Sequence, residues 1–74
     1  MNLSQAKKSE KLKIVTINAQ TILKKRLSSL GVIVGKEVEV LETTIQKNTI
    51  KIAIGLGSIA LRLDEAKLIE VEAF

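Results

Sequence analysis

The stretch LKKRLSSLGVIVG at residues 23–35 decides the fold of this chain. Its leucines Leu23, Leu27 and Leu30 recur at steps of four and three, which places them along one face of a helix. Gly31 follows the last leucine, and a helix ends most readily at a residue that tolerates a positive φ. We therefore predict a short amphipathic helix that packs its leucine row into the core and ends at Gly31.

The charged residues of this helix, which is predicted for residues 21–30, lie mostly away from the leucine row. They are Lys24, Lys25 and Arg26. A solvated surface is the simplest interpretation of such a face. The alternative is a docking surface for an acidic partner, since opposite charges speed and orient the encounter of two proteins. We predict these three residues as the partner-binding site.

The composition restricts the core to aliphatic side chains. The chain has 74 residues, no Trp, no Tyr and one Phe, Phe74. Ile, Leu and Val must therefore fill the interior by close packing. So small a chain buries only roughly 60% of its unfolded surface, and we expect a free energy of unfolding of no more than about 11 kcal/mol.

Alternating aliphatic residues predict five short strands around the helix. The predicted strands are residues 11–18 with a bulge near Ile14, then 37–41, 49–54, 59–63 and 68–72. Their predicted inward rows are Val38 and Val40; Ile50, Ile52 and Ile54; Ile59, Leu61 and Leu63; and Ile69 and Val71.

Polar and glycine-containing runs separate these strands. Residues 43–49 predict one turn, and residues 55–58 predict a tight hairpin in which both glycines supply the required φ values. Ser4 and Asp64 are predicted to cap two single-turn helices, because their side-chain oxygens can accept a hydrogen bond from an amide two or three residues later.

Five short strands with close turns predict a mainly β fold. We expect a small five-stranded SH3-like barrel with one short α-helix inserted between strands 1 and 2. An OB-fold fits this order less well, because its helix normally lies between strands three and four.

Positive charge is concentrated in the first half of the chain. Residues 1–36 carry eight Lys or Arg and one acid, whereas residues 37–74 carry four Lys or Arg and seven acids. Either the two halves neutralise each other in the fold, or a basic face is left for an acidic partner.

The residues needed for common catalytic chemistry are missing. The chain has no His and no Cys, so nucleophilic triads and imidazole acid–base catalysis are excluded. A tight Fe(II) or Zn(II) site would also be unusual without nitrogen or sulfur ligands. We predict no catalytic residue, no metal site and no cofactor.

Two carboxylate pairs and one arginine are the remaining candidates for a functional site. The pairs Glu37 with Glu39 and Glu70 with Glu72 could hold a hard cation weakly, but solvated strand faces are the more ordinary interpretation. Arg62 is expected to form a surface ion pair with Glu39 or Glu70. An arginine finger offered to a GTPase is the alternative.

Several short segments, in order, resemble the FeoA family over nearly the whole chain. They are Leu3 to Lys7, Val15 to Ile17, Arg26 to Gly31, Gly35 with Val38 to Val40, Ala60 to Arg62, Ala66, and Ile69 to Val71. Family members often carry Gly at the position of Ser9 and Pro at the position of Val34.

The resemblance implies an SH3-like barrel at residues 1–74, as a single FeoA-like domain in the cytoplasm. It also implies a non-enzymatic accessory protein of ferrous iron uptake, which binds and regulates FeoB, a membrane transporter with a cytosolic G domain. No apolar run approaches the roughly 20 residues that span a bilayer, so we expect no direct membrane insertion.

Two other functions are compatible with this sequence. The basic half could serve a barrel associated with nucleic acid or the ribosome, although single-strand readers usually use aromatic side chains and we consider nucleic acid a weak candidate. The carboxylate pairs could serve a metal-sensing module similar to the C-terminal domain of metal-dependent repressors. A complete repressor is excluded, because no helix-turn-helix fits beside the barrel.

Overall fold

Five strands and two α-helices follow a short 3-10 helix at Leu3–Gln5. The computed structural model describes all 74 residues, Met1–Phe74. The elements are β1 (Lys11–Ile17), α1 (Thr21–Ser29), β2 (Glu37–Thr44), β3 (Thr49–Ile54), β4 (Gly57–Arg62), α2 (Leu63–Ala66) and β5 (Ile69–Ala73).

The strands form one antiparallel sheet in the order β4-β3-β2-β1-β5. This arrangement confirms the predicted mainly β, SH3-like fold with an α-helix between β1 and β2. Strands β4 and β5 are the two edges of the sheet. The edge of β5 is partly covered by the start of the chain, since the Val71 amide donates to the Met1 carbonyl at 2.9 Å.

The core contains only aliphatic side chains and has no buried polar residue. The predicted inward rows of β2, β3 and β5 are confirmed, because every one of their members is buried. In β4 only Leu61 is buried; Ile59 is half-buried. The sixteen buried residues are Leu3, Ala6, Leu12, Ile14, Ile17, Leu27, Val32, Val38, Val40, Ile50, Ile52, Ile54, Leu61, Ala66, Ile69 and Val71.

The bulge predicted in β1 is confirmed. The register against β5 shifts between Ile14 and Thr16, so Val15 turns outward with 43% of its surface exposed. A second shift, between Val40 and Glu42, lets β2 continue to Thr44. Strand β2 is therefore longer than predicted and does not end at residue 41, because a bulge interrupts the alternation without ending the pairing.

Both predicted helix caps were wrong. At the N-terminal 3-10 helix the cap is Asn2, whose Oδ1 accepts from the Ser4 amide at 3.0 Å. Helix α2 begins at Leu63, one residue before Asp64, so Leu63 does not continue β4. There the Arg62 amide donates to Glu65 Oε1 at 3.1 Å. Leu3 is fully buried and Leu63 packs against the core, and each of these leucines is the first residue of its helix.

The leucine row of α1 is only partly buried. Leu27 is fully buried, Leu23 is half-buried, and Leu30 keeps 40% of its surface exposed. The helix ends at Ser29 in a Schellman turn: Gly31 donates to the Ser28 carbonyl at 3.0 Å, and Val32 donates to the Leu27 carbonyl at 2.9 Å. This turn carries Val32 into the core, so Val32 is buried there instead of Leu30.

Gly31 has a φ of +89°, and a Cβ at this position would meet no atom within 4 Å. We expect Gly31→Ala to lower the free energy of unfolding by about 1–2 kcal/mol. The added methyl group meets no neighbour, so the only cost is that of a side chain on left-handed backbone. Chemical denaturation followed by circular dichroism measures the change.

The matched control is Gly57→Ala, which also has open space but no positive φ. It should be neutral or stabilising by up to about 1 kcal/mol. A Gly31→Ala protein as stable as this control would contradict the assignment.

The structure also corrects the hairpin prediction, since only Gly55 of the two hairpin glycines has a positive φ. Ser9 has a φ of +72°, in the left-handed region that favours glycine.

Candidate functional site

Helix α1 divides the predicted partner-binding residues between its two sides. Lys24 and Lys25 border an open groove of about 460 Å³ between α1 and the chain that leads into β2. Arg26 instead borders a second cavity, of about 590 Å³, on the side that faces the start of β5. The three consecutive charges therefore do not form one continuous surface.

The side chain of Arg26 is engaged within the molecule. Its Nη1 donates to Glu65 Oε2 at 2.6 Å, while Glu65 Oε1 holds the Arg62 amide. The Arg26 side chain is 56% exposed and that of Glu65 is 12% exposed. An ion pair with so exposed a partner contributes at most about 1 kcal/mol. Its effect is to tie α1 to α2 and to neutralise the charge of Arg26.

The groove beside Lys24 and Lys25, which we call the α1 groove, is lined mainly by aliphatic side chains. Its buried lining includes Ile17 and Val32, and its exposed lining includes Ile33 and Val34. Ile33 is 43% exposed and Val34 is 59% exposed. No acidic residue lines the groove. It therefore combines an apolar interior with a basic rim.

The sheet places the two lysines of β1 opposite acidic residues. In the register, Lys11 lies opposite Glu39, and Lys13 lies opposite Glu37 on one side and Glu72 on the other. Opposite charges at such cross-strand positions attract each other. The lysines of β1 thus face the acids of the second half of the chain, as the neutralising interpretation of the sequence predicts.

Lys24 and Lys25 have no such neighbour. The ion pairs of the molecule with nitrogen and oxygen within 4.0 Å are Arg26 with Glu65, and the N-terminal amine with Glu70 at 3.7 Å. The two lysines of the α1 groove therefore present positive charge that no carboxylate of this chain neutralises at contact distance.

Each of the carboxylate pairs that could hold a cation weakly has positive charge beside it. Lys13 lies between Glu37 and Glu72 in the register, and no group of three carboxylates forms. A cation would therefore meet positive charge beside Glu37 and Glu39.

Arg62 does not form the ion pair predicted with Glu39 or Glu70. It lies at the end of β4, opposite Thr49 of β3, whereas Glu39 and Glu70 lie on β2 and β5. The strand order separates these positions, and Glu70 pairs with the N-terminal amine. Arg62 is exposed at the junction of β4 and α2, with its amide held by Glu65.

Sequence reasoning missed two features of this region. The apolar wall at Ile33 and Val34 was visible only as part of a run of three aliphatic residues between Gly31 and Gly35. Glu65 was expected only to belong to a single helical turn, and nothing in the local pattern connected it with Arg26. An aliphatic run directly after a basic helix was the one signal in the sequence for the groove.

None of the helices is both long and apolar enough to cross a membrane. The fold and the surface define a small SH3-like β protein in which a helix beside the sheet borders a basic-rimmed apolar groove. The model of the FeoA domain matches residues 1–73. The chain belongs to the FeoA family.

The relatives agree with this assignment. A protein of Campylobacter jejuni named "Putative Fe(2+) transport protein A" is 38% identical over 71 residues, which cover 96% of each chain. The solution structure of iron(II) transport protein A from Clostridium thermocellum is 32% identical and matches with a TM-score of 0.92, over 99% of this chain and 45% of that one.

The same fold occurs in a larger regulator. A manganese-dependent transcriptional repressor bound to manganese matches with a TM-score of 0.93 at 20% identity. The match covers all of this chain and 36% of the repressor. At this identity the likeness concerns the fold alone.

Proposed function

We propose that this protein is a non-enzymatic accessory protein of ferrous iron uptake, acting in the cytoplasm as one FeoA-like domain at residues 1–74. It binds the cytosolic part of a FeoB-like membrane GTPase-transporter and regulates it. Membership of the FeoA family and a relative named for Fe(2+) transport support this role. The observation that carries it is an exposed apolar groove bordered by two lysines, with no acidic residue in its lining.

The proposed contact surface is centred on Lys24 and Lys25. Exposed charges that are not paired within the molecule are available to orient a partner of opposite charge. Arg26 remains a proposed partner contact through the 56% of its side chain that is exposed, although it borders the cavity on the other side of α1. Its charge is already shared with Glu65, so we expect it to contribute less to binding than the two lysines.

Reversing both charges in a Lys24→Glu, Lys25→Glu protein should weaken binding to the cytosolic part of FeoB by tenfold or more. Each replaced attraction becomes a repulsion, and a tenfold change corresponds to about 1.4 kcal/mol. Isothermal titration calorimetry with the purified cytosolic part of FeoB measures the affinity, at low and at physiological salt.

The chain supplies a matched control in its other exposed lysine pair. Lys7→Glu, Lys8→Glu makes the same change in net charge away from α1, and it should bind with nearly wild-type affinity. Equal losses in the two double variants would show that only net charge matters. Unchanged affinity in the α1 variant would reject this surface.

A further inference from the structure

We propose that the α1 groove binds one kind of partner segment: an amphipathic segment whose aliphatic side chains enter the groove and whose flanking carboxylates meet Lys24 and Lys25. This inference rests on the proposed function, under which the transporter carries the segment. It adds the chemistry of the ligand and assigns the apolar wall at Ile33 and Val34 a role in binding.

The dimensions of the groove suit a few side chains. Its volume of about 460 Å³ lies within the roughly 300–1,000 Å³ that ligand sites occupy. It is open along one side, between a helix and a chain segment. A helix laid into such a groove inserts its apolar face and leaves its polar face in water.

The apolar wall is held in place by the backbone on either side of Ile14. The Gly35 amide donates to the Ile14 carbonyl at 2.8 Å, and the Ile14 amide donates to the Lys36 carbonyl at 2.9 Å. Ile33 is fixed by a bond from the Lys36 amide to its carbonyl at 3.2 Å. A wall that is already ordered loses little conformational entropy when a partner binds.

Packing in the core does not account for the aliphatic side chains of Ile33 and Val34, which are exposed. Val32 is fully buried, yet the next two residues keep about half of their surface in water. Aliphatic side chains that cluster in this way beside a groove mark an interaction site more often than isolated ones do.

The charge at the rim of the α1 groove indicates which kind of segment binds there. The rim carries two lysines, the lining carries no acid, and neither lysine has an ion-pair partner in the chain. Lysine stems can also cover apolar surface while their ammonium groups stay in water. A segment with carboxylates beside its aliphatic residues matches this surface, whereas a basic segment would be repelled. On the other side of α1, Glu65 already neutralises the available arginine.

Two synthetic amphipathic peptides test this inference on the full-length protein labelled with 15N. They share the same leucine positions, and their polar positions are all Glu in one peptide and all Lys in the other. We expect the Leu/Glu peptide to shift the amides of Lys25, Ser28 and Val34, and the Leu/Lys peptide to leave them unchanged. Shifts centred outside the groove, or equal binding of both peptides, would overturn the inference.

A pair of variants separates the apolar contribution from the charge. Val34→Asn should weaken binding of the Leu/Glu peptide at least fivefold. Leu56→Asn, a similar change at a fully exposed side chain in the β3–β4 turn, should leave it unchanged. Equal affinities of Val34→Asn and the wild type would remove the apolar wall from the site. Both variants should retain the dispersed amide spectrum of the wild type, since both positions are exposed.

The same variants distinguish this inference from the proposed function. If the Leu/Glu peptide binds in the groove but the cytosolic part of FeoB does not bind at all, the ligand chemistry stands and the proposed partner is wrong. If FeoB binding is lost in Lys24→Glu, Lys25→Glu but unchanged in Val34→Asn, the partner stands and the apolar part of the inference is overturned.

Discussion

Leu27→Ala is expected to lower the free energy of unfolding by about 2–5 kcal/mol. Leu27 is the one residue of α1 that is fully buried, so its side chain supplies most of the anchoring of this helix in the core. A chain of this size has a total stability of roughly 4–11 kcal/mol. The variant should therefore have an appreciable unfolded population at moderate temperature.

Leu30→Ala is the matched control. The same atoms are removed from a leucine that keeps 40% of its surface exposed, so we expect a loss of about 1 kcal/mol or less. Urea denaturation should be followed by circular dichroism, because the chain has no Trp or Tyr for fluorescence. Similar losses at the two positions would restore the view that the whole leucine row packs into the core.

Ile52→Ala is expected to have an effect of comparable size, about 2–5 kcal/mol. Ile52 is fully buried in the middle of β3, with Val40 opposite it on one side and Ile59 on the other. Removal of its branched side chain leaves a cavity that rigid neighbouring strands fill poorly. The midpoint of urea denaturation measures the loss.

Its control is Ile45→Ala, the same substitution in the turn between β2 and β3. Ile45 is 86% exposed, and we expect a change within about 0.5 kcal/mol. A large loss at Ile45 would mean that this turn packs against the molecule in solution. A small loss at Ile52 would contradict its place at the centre of the core.

The strands were more predictable than the helix. In β2 and β3 the period of two was unbroken across Val38, Val40 and the isoleucines 50 to 54, and all of these residues are buried. A strand has only two faces, so the alternation decides which residues point inward. In α1 the spacing identified the correct face but not its burial, because the Schellman turn ended the helix at Ser29 and turned Leu30 partly to solvent.

The charged surface of α1 was likewise only partly predictable from the sequence. Consecutive positions on a helix lie about 100° apart, so three neighbouring charges cannot share one direction. The sequence indicated a basic helix face, but the path of the chain placed a groove beside Lys24 and Lys25 and a carboxylate beside Arg26. That carboxylate belongs to Glu65, 39 positions further along the chain.

The sequence alone determined the five strands, the position of the helix between the first two, and its end just before the positive φ of Gly31, since these depend on local periodicity and on the φ values that glycine allows. The tertiary structure decided that Arg26, and not Lys24 or Lys25, forms an ion pair, and which aliphatic residues remain in water. Both outcomes depend on contacts between residues distant in the chain, and a local pattern carries no information about such contacts.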